Sequence, residues 1–292
     1  MPRNIVIAVD AKERTLDAVA LGHRLADATG APAVLVTVFA HHPLHDPADP
    51  ALEAVRTEAR DTLLELARAE GLEHADARVI PGNFAARTLQ HVSEQPDTGI
   101  VVVGSTTRGP VGRLLLGGVG ERLLAGGACP VAVAPRGYAD HAVARLACIG
   151  VGLDGSPEAR LALDAAVVLA TACGARIRVI TAFTRLAFGG ASTTALPGPS
   201  ANDAMRQGLR AIHDEAIAGI PADIATESRF LDGAADDLLV TESEDLDLLV
   251  VGSRGYGPLG AVLLGSASTA LARAARCPII VTPRETPFAL LA

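Results

Sequence analysis

Residues 104–136 read GSTTRGPVGRLLLGGVGERLLAGGACPVAVAPR, and residues 252–284 read GSRGYGPLGAVLLGSASTALARAARCPIIVTPR. Aligned without a gap, 14 of these 33 positions are identical, among them Gly104/Gly252, Gly117/Gly265 and Cys129-Pro130/Cys277-Pro278. Upstream, IVIAVD ending at Asp10 matches CIGVGLD ending at Asp154, so the interval is 144 residues at the start of the unit and 148 at its end. A period this long is a duplicated domain; solenoid repeats run to about 20–50 residues. The chain of 292 residues therefore divides into two copies, residues 1–136 and 145–292, joined by a linker near 136–144.

Each copy alternates strand and helix signals. Ile5–Val9 is an unbroken apolar run, as a parallel strand buried on both faces requires. Residues 13–29 follow with helical spacing (Leu16, Val19, Ala20, Leu25) and stop at Gly30. Strands are expected over 33–39, 74–80, 100–103 and 131–134, with helices over 50–70, 84–94 and 118–126. The second copy repeats the order: strands over 146–153, 176–183, 222–230, 247–251 and 279–282, helices over 157–173, 202–218, 233–243 and 266–275. Such alternation implies an α/β fold with open parallel sheets and helices on both faces.

Composition narrows the function classes. The formal charge is −8 and Lys12 is the single lysine, a poor match to the clustered basic face that nucleic acid demands. No stretch offers the roughly 20 apolar residues of a membrane span, and the N-terminal run is too short for a signal peptide. Four scattered cysteines (Cys129, Cys148, Cys173, Cys277) form no CxxC pair and read as free thiols in a reducing, cytoplasmic setting. His41, His42, His45 and Asp46 lie in a Pro-rich loop with no frame to fix metal geometry. The acidic run Glu242, Glu244, Asp245 and Asp247 reads as a solvated helix end.

In open α/β sheets, ligands bind beyond the carboxyl ends of the strands. Two features of each copy fall there: the Asp that closes the first strand, and the Gly-rich stretch after the fourth. The second copy is complete, with Asp154-Gly155-Ser156, Gly252-x2-Gly255, nine residues, and then Gly265-Ser266 opening a helix. Free N–H groups and a hydroxyl at a helix N-terminus suit an anion. Asp154-Gly155-Ser156-Pro157 reads equally as a turn and helix cap, and Ser266 as an N-cap.

The pattern G-x2-G-x9-G-S/T, with the first-strand Asp followed by Gly-Ser and a Cys-Pro before the last strand, resembles the universal stress protein family in its tandem form. The resemblance implies two five-stranded sheets, each of order 3-2-1-4-5, related by a pseudo-two-fold axis. It also implies that the last strands, Val131–Ala134 and Ile279–Thr282, meet across that axis. A homodimer of the tandem chain is a further family-level expectation. The implied ligand is ATP, an adenine nucleotide accompanied by Mg or Mn because no Walker lysine is present.

Carried onto the second copy, Asp154 accepts hydrogen bonds from the nucleoside, while Gly152, Leu153 and Ala182 wall the base. Val251, Gly252 and Gly255 form the floor and turn. Gly265, Ser266, Ala267 and Ser268 hold the phosphates, and Arg254 lies within the loop. The weaker site of the first copy comprises Asp10, Val38, Val103, Gly104, Gly117 and Gly118. There Ala11-Lys12 replaces Gly-Ser, Thr107 replaces the second Gly, and Gly118 replaces the Ser. A β-branched residue in a left-handed conformation costs about 1–2 kcal/mol and a lost charge-assisted bond about 1.5–3. Together they predict binding on the order of 100-fold weaker.

No GxSxG, HExxH or first-strand GxGxxG is present, so no catalytic set stands out. The expected role is that of a nucleotide-dependent stress or signalling regulator. A nucleotide-free tandem interaction scaffold and a slow ATPase stay open, as does cyclic AMP as the ligand.

Overall fold

The computed structural model describes residues 3–10, 16–39, 50–105, 117–185, 199–253 and 266–283, together with 286, 288 and 290. The first repeat comprises β1 (Asn4–Ala8), α1 (Leu16–Thr29), β2 (Ala33–Phe39), α2 (Pro50–Ala69), β3 (Asp76–Pro81), α3 (Ala85–Ser93), β4 (Thr98–Gly104), α4 (Gly118–Gly126) and β5 (Val131–Ala134). A short helix α5 (Tyr138–His141) occupies the linker. The second repeat comprises β6 (Cys148–Gly152), α6 (Pro157–Cys173), β7 (Arg176–Phe183), α7 (Pro199–Ala218), β8 (Thr226–Asp232), α8 (Ala235–Glu242), β9 (Leu248–Gly252), α9 (Ser266–Ala274) and β10 (Ile279–Thr282).

The strands form one ten-stranded sheet of order β3-β2-β1-β4-β5-β10-β9-β6-β7-β8. Each half has the expected order, but the two sheets are continuous because β5 and β10 pair antiparallel. In that seam Ala132 faces Ile280, Val131 faces Val281 and Val133 faces Ile279. Ala132 and Ile280 are themselves equivalent positions of the duplicated stretch, so the seam pairs each last strand with its counterpart in matching register. All other pairings are parallel, as right-handed βαβ crossovers require.

The central strands are buried on both faces by Ile, Val and Leu, and each face carries one core that runs through both repeats. On one face Ile5, Ile7, Leu35, Ala132, Ile149, Val250 and Ile280 pack under α1, α2, α5, α6 and α7. On the other, Val101, Val133, Leu249 and Ile279 pack under α3, α4, α8 and α9. The linker helix escapes sequence patterning because its stability is borrowed. Asp17 of α1 accepts the Gly137 and Ala139 N–H groups at 2.9 Å each, supplying a cap from a distant element.

Three sequence expectations shift. The third strand of the second repeat runs over Thr226–Asp232 rather than 222–230, since Ile224 closes a turn on Pro221. Helix α7 starts at Pro199, three residues before the expected 202. The acidic run is no solvated helix end: Glu242 is only 7% exposed and pairs with Arg229 at 2.6 Å and Arg178 at 3.3 Å. Arg178 is bonded in turn to Glu227 at 2.9 Å. Asp247 Oδ2 accepts the Ala147 and Cys148 N–H groups at 2.8 Å, pinning the start of β6, and Glu244 pairs with Arg276. By strand register and by the matching Ser93 and Ser243 contacts, Val34 and Val92 stand in the first repeat where Arg178 and Glu242 stand in the second.

The cysteines are free, three of them buried, and desolvation pushes every thiol up, that of Cys129 to about 12. Buried protonated thiols behave as small hydrophobes. Among the described residues, no helix is long and apolar enough to cross a membrane. The His41–Asp46 cluster lies outside the described residues.

Candidate functional site

Each repeat opens a crevice at the carboxyl ends of its strands. In the second, a cavity of about 600 Å³ is lined by eight of the expected residues: Gly152, Leu153, Asp154, Ala182, Val251, Gly252, Ala267 and Ser268. Arg254, Gly255 and Gly265 lie outside the described residues, as does the side chain of Ser266, which begins α9. In the first repeat a cavity of about 330 Å³ gathers all six expected residues, Asp10, Val38, Val103, Gly104, Gly117 and Gly118.

Asp154 is placed by a tight turn. Its Oδ1 accepts the Ser156 N–H at 2.9 Å and the Ser156 hydroxyl at 2.6 Å. Ser156 Oγ accepts the Ala159 N–H, so it caps α6 in front of Pro157. Gly155 has φ +83°, and a Cβ there would also meet Ile212 Cδ1 at 3.1 Å. The turn-and-cap role is thus real, and it holds the carboxylate at the mouth of the crevice.

Gly252 serves packing as well as the crevice. A Cβ at this position would lie 2.6 Å from the carbonyl carbon of Glu158 and 2.8 Å from its Cβ and O atoms. Its missing side chain lets β9 approach the first turn of α6. Ser268 departs from the expectation of a hydroxyl donor to phosphate. It is buried, and its Oγ–H donates to the Gly252 carbonyl at 3.1 Å, which ties α9 to β9. Apart from Ser266, what α9 offers an anion is the set of N–H groups in its first turn.

Sequence patterning missed half of the cavity wall. Met205, Gly208, Leu209 and Ile212 of α7 line it, with Ser156, Phe183, Thr184 and Leu239. Behind this wall His213 is fully buried, with Nδ1 2.8 Å from Thr181 Oγ1 and Nε2 2.8 Å from Ser228 Oγ. The Thr181 hydroxyl donates to the Leu153 carbonyl, so His213 Nδ1 must be the donor to Thr181 and Nε2 the acceptor from Ser228. Burial, then the charge of Arg210, lowers the His213 pKa, keeping the ring neutral. The chain Ser228–His213–Thr181 thereby couples α7 to the backbone just ahead of Asp154.

Chemically, the larger crevice offers a carboxylate acceptor at one end, apolar walls, and helix N–H donors at the other. Among the described lining residues Asp154 is the one charged side chain. Both cavities fall within the range of small-molecule sites, about 300–1,000 Å³.

Fold and crevices together define a duplicated, doubly wound α/β protein with a cavity at the strand ends of each half. The chain belongs to the universal stress protein family, which it matches at residues 1–135 and again at 148–283. A universal stress protein of Mycobacterium tuberculosis is 34% identical over 200 residues, covering 66% of this chain and 64% of the relative, so the match spans just under two thirds of that relative's length. One from Mycolicibacterium smegmatis is 28% identical over 296 residues, 96% of this chain and 97% of the relative. The crystal structure of a universal stress protein from Archaeoglobus fulgidus shares the fold, with a TM-score of 0.65 at 19% identity, covering 96% of this chain and 98% of that one.

Proposed function

We propose that this universal stress protein is a nucleotide-dependent regulator that binds ATP in its second repeat, with residues 1–136 and 145–292 as its two domains. The observation that carries the reading is a single cavity bringing Asp154, Gly252 and the start of α9 together at the carboxyl ends of β6 and β9. Asp154 is an acceptor matched to the hydroxyls and amino group of a nucleoside, all of them donors. Gly152, Leu153, Ala182 and Val251 supply the apolar wall a base requires. The first-turn N–H groups of α9, with Gly265 and Ser266, cradle the phosphates. No basic side chain lines the described part of the cavity, so Mg or Mn would travel with the phosphates and offset their charge.

The smaller first-repeat crevice, with Gly118 in place of Ser, is the weaker site.

The test is nucleotide released from freshly purified protein, identified by mass spectrometry, with thermal melts in ATP, cyclic AMP and no ligand. ATP at 100 times its dissociation constant should add about 2.7 kcal/mol of stability. Protein that carries no nucleotide and melts at the same temperature with and without ATP refutes the reading and leaves the interaction scaffold.

A further inference from the structure

Helix α7 contributes an apolar stripe that faces the crevice instead of the core. Met205, Gly208, Leu209 and Ile212 follow the i, i+3, i+4, i+7 spacing of one helical face, and all four line the larger cavity. The core contact of the same helix is made by His213, Ala216 and Ile217. Met205 is 48% exposed, one of few large hydrophobic side chains left open to solvent among the described residues.

Gly208 is the anomaly in this stripe. A glycine inside a helix is less favourable than alanine by about 1 kcal/mol. No positive φ calls for it, and a Cβ built there would meet nothing within 4 Å among the described residues. Among the described residues, neither backbone geometry nor packing accounts for the missing side chain. The space it leaves belongs to the cavity.

Position along the cavity identifies what would fill that space. Ile212 packs over Gly155, the residue after Asp154. Arg206 anchors the helix to Asp232 at 2.7 and 3.0 Å, with its guanidinium over the rings of Phe183 and Phe230. The roof therefore stands at the Asp154 and β7 end, whereas the N–H donors of α9 stand at the β9 end. Resting on the nucleotide reading, we propose that α7 forms the roof over the nucleobase and that Gly208 is the notch admitting the ring edge. Met205 and Ile212 flank the ring, a use suited to the pliable thioether of Met205.

The first repeat provides an internal comparison. Aligned on the buried positions Leu63 and His213, α2 carries Val55, Glu58, Ala59 and Thr62 at the four roof positions. No α2 residue lines the smaller cavity among the described residues. The two repeats thus differ at the base end of the crevice as well as at the phosphate end.

The experiment compares wild type, Gly208→Ala, Gly208→Leu and Met205→Gln for binding of ATP and adenosine by calorimetry, with inorganic tripolyphosphate as a competitor of ATP. Expected are dissociation constants at least threefold weaker than wild type for Gly208→Ala and at least tenfold weaker for Gly208→Leu. For Met205→Gln, adenosine binding should weaken at least threefold. Tripolyphosphate competition should stay unchanged, and Gly208→Leu should melt no lower than wild type, since leucine is the better helix former. Gly208→Leu and Met205→Gln binding adenosine as wild type does overturns the roof and leaves the nucleotide reading intact. Equal loss of tripolyphosphate also overturns it. Wild type that binds neither ATP nor adenosine overturns both.

Discussion

The duplicated glycines Gly104 and Gly252 occupy the same strand end in the two repeats, yet replacing each with alanine should have opposite effects. At Gly252 the new methyl lies 2.6 Å from the Glu158 carbonyl carbon, and ordinary contact begins near 3.4 Å, so α6 and β9 must separate by about 0.8 Å. The obstacle is helix backbone, which has no rotamer to turn aside. Overpacking costs about 1–3 kcal/mol, and a backbone clash belongs at the upper end. At Gly104 the nearest atoms, Ala18 Cβ and N, are 3.9 Å away. Alanine fits there, and restricting the unfolded chain should stabilise by about 0.4–1 kcal/mol. The two variants should therefore differ by about 3–4 kcal/mol, near 10 °C in melting temperature at about 2–4 °C per kcal/mol. Differential scanning calorimetry of both variants beside wild type measures this. Equal melting temperatures would falsify the assignment of Gly252 to close strand–helix packing.

Other consequences follow from the same structure. Glu242→Gln, which removes the buried carboxylate shared by Arg178 and Arg229 and leaves Arg178 with Glu227 alone, should cost up to about 3 kcal/mol in urea unfolding, whereas the pair Arg178→Val and Glu242→Val, copying Val34 and Val92, should recover most of it. His213 has a pKa below its ordinary 6.5, so the unfolded chain binds the extra proton first as pH falls. Stability should be full above about pH 7 and decline as pH drops through 6.5 toward the folded value. His213→Leu, with the side chain of Leu63, should remove that slope in denaturant titrations at stepped pH. Gly118→Ser meets no described residue around the new side chain and restores the hydroxyl of the second repeat, so ATP affinity of the first crevice should rise about tenfold or more in calorimetry on an Asp154→Ala background. Thiol titration should find Cys129, Cys148 and Cys277 unreactive in the native protein and all four cysteines reactive in urea.

The architecture was legible wherever one local signal sufficed. Continuous apolar runs such as Ile5–Val9 and Leu248–Val251 announce parallel strands, and the duplication makes each reading count twice. The edge strand β8 was displaced because Thr226–Asp232 is largely polar, while the apolar Ile224 just outside it closes a turn. Asp154, Gly252 and the six first-repeat residues, all read from strand ends and glycines, line the two crevices. What stayed hidden depends on long-range partners. Glu242 cannot be told from a solvated acid without Arg178, 64 residues earlier, and Asp17 cannot be read as the cap of a helix 120 residues on. The wall made by α7 was likewise illegible, since an apolar stripe at helical spacing reads by default as core.

The antiparallel seam between β5 and β10 has a consequence for how unlike the two halves can be. A sheet junction made between separate chains weakens on dilution and lets partners exchange, so a mixed pair would be in equilibrium with two matched ones. Here both strands belong to one chain, and their local concentration is fixed by the linker through α5. Dilution cannot part them, and no exchange can pair two first-repeat crevices or two second-repeat ones. One crevice of each kind is therefore built into every molecule, in a one-to-one ratio that neither protein level nor ligand can change.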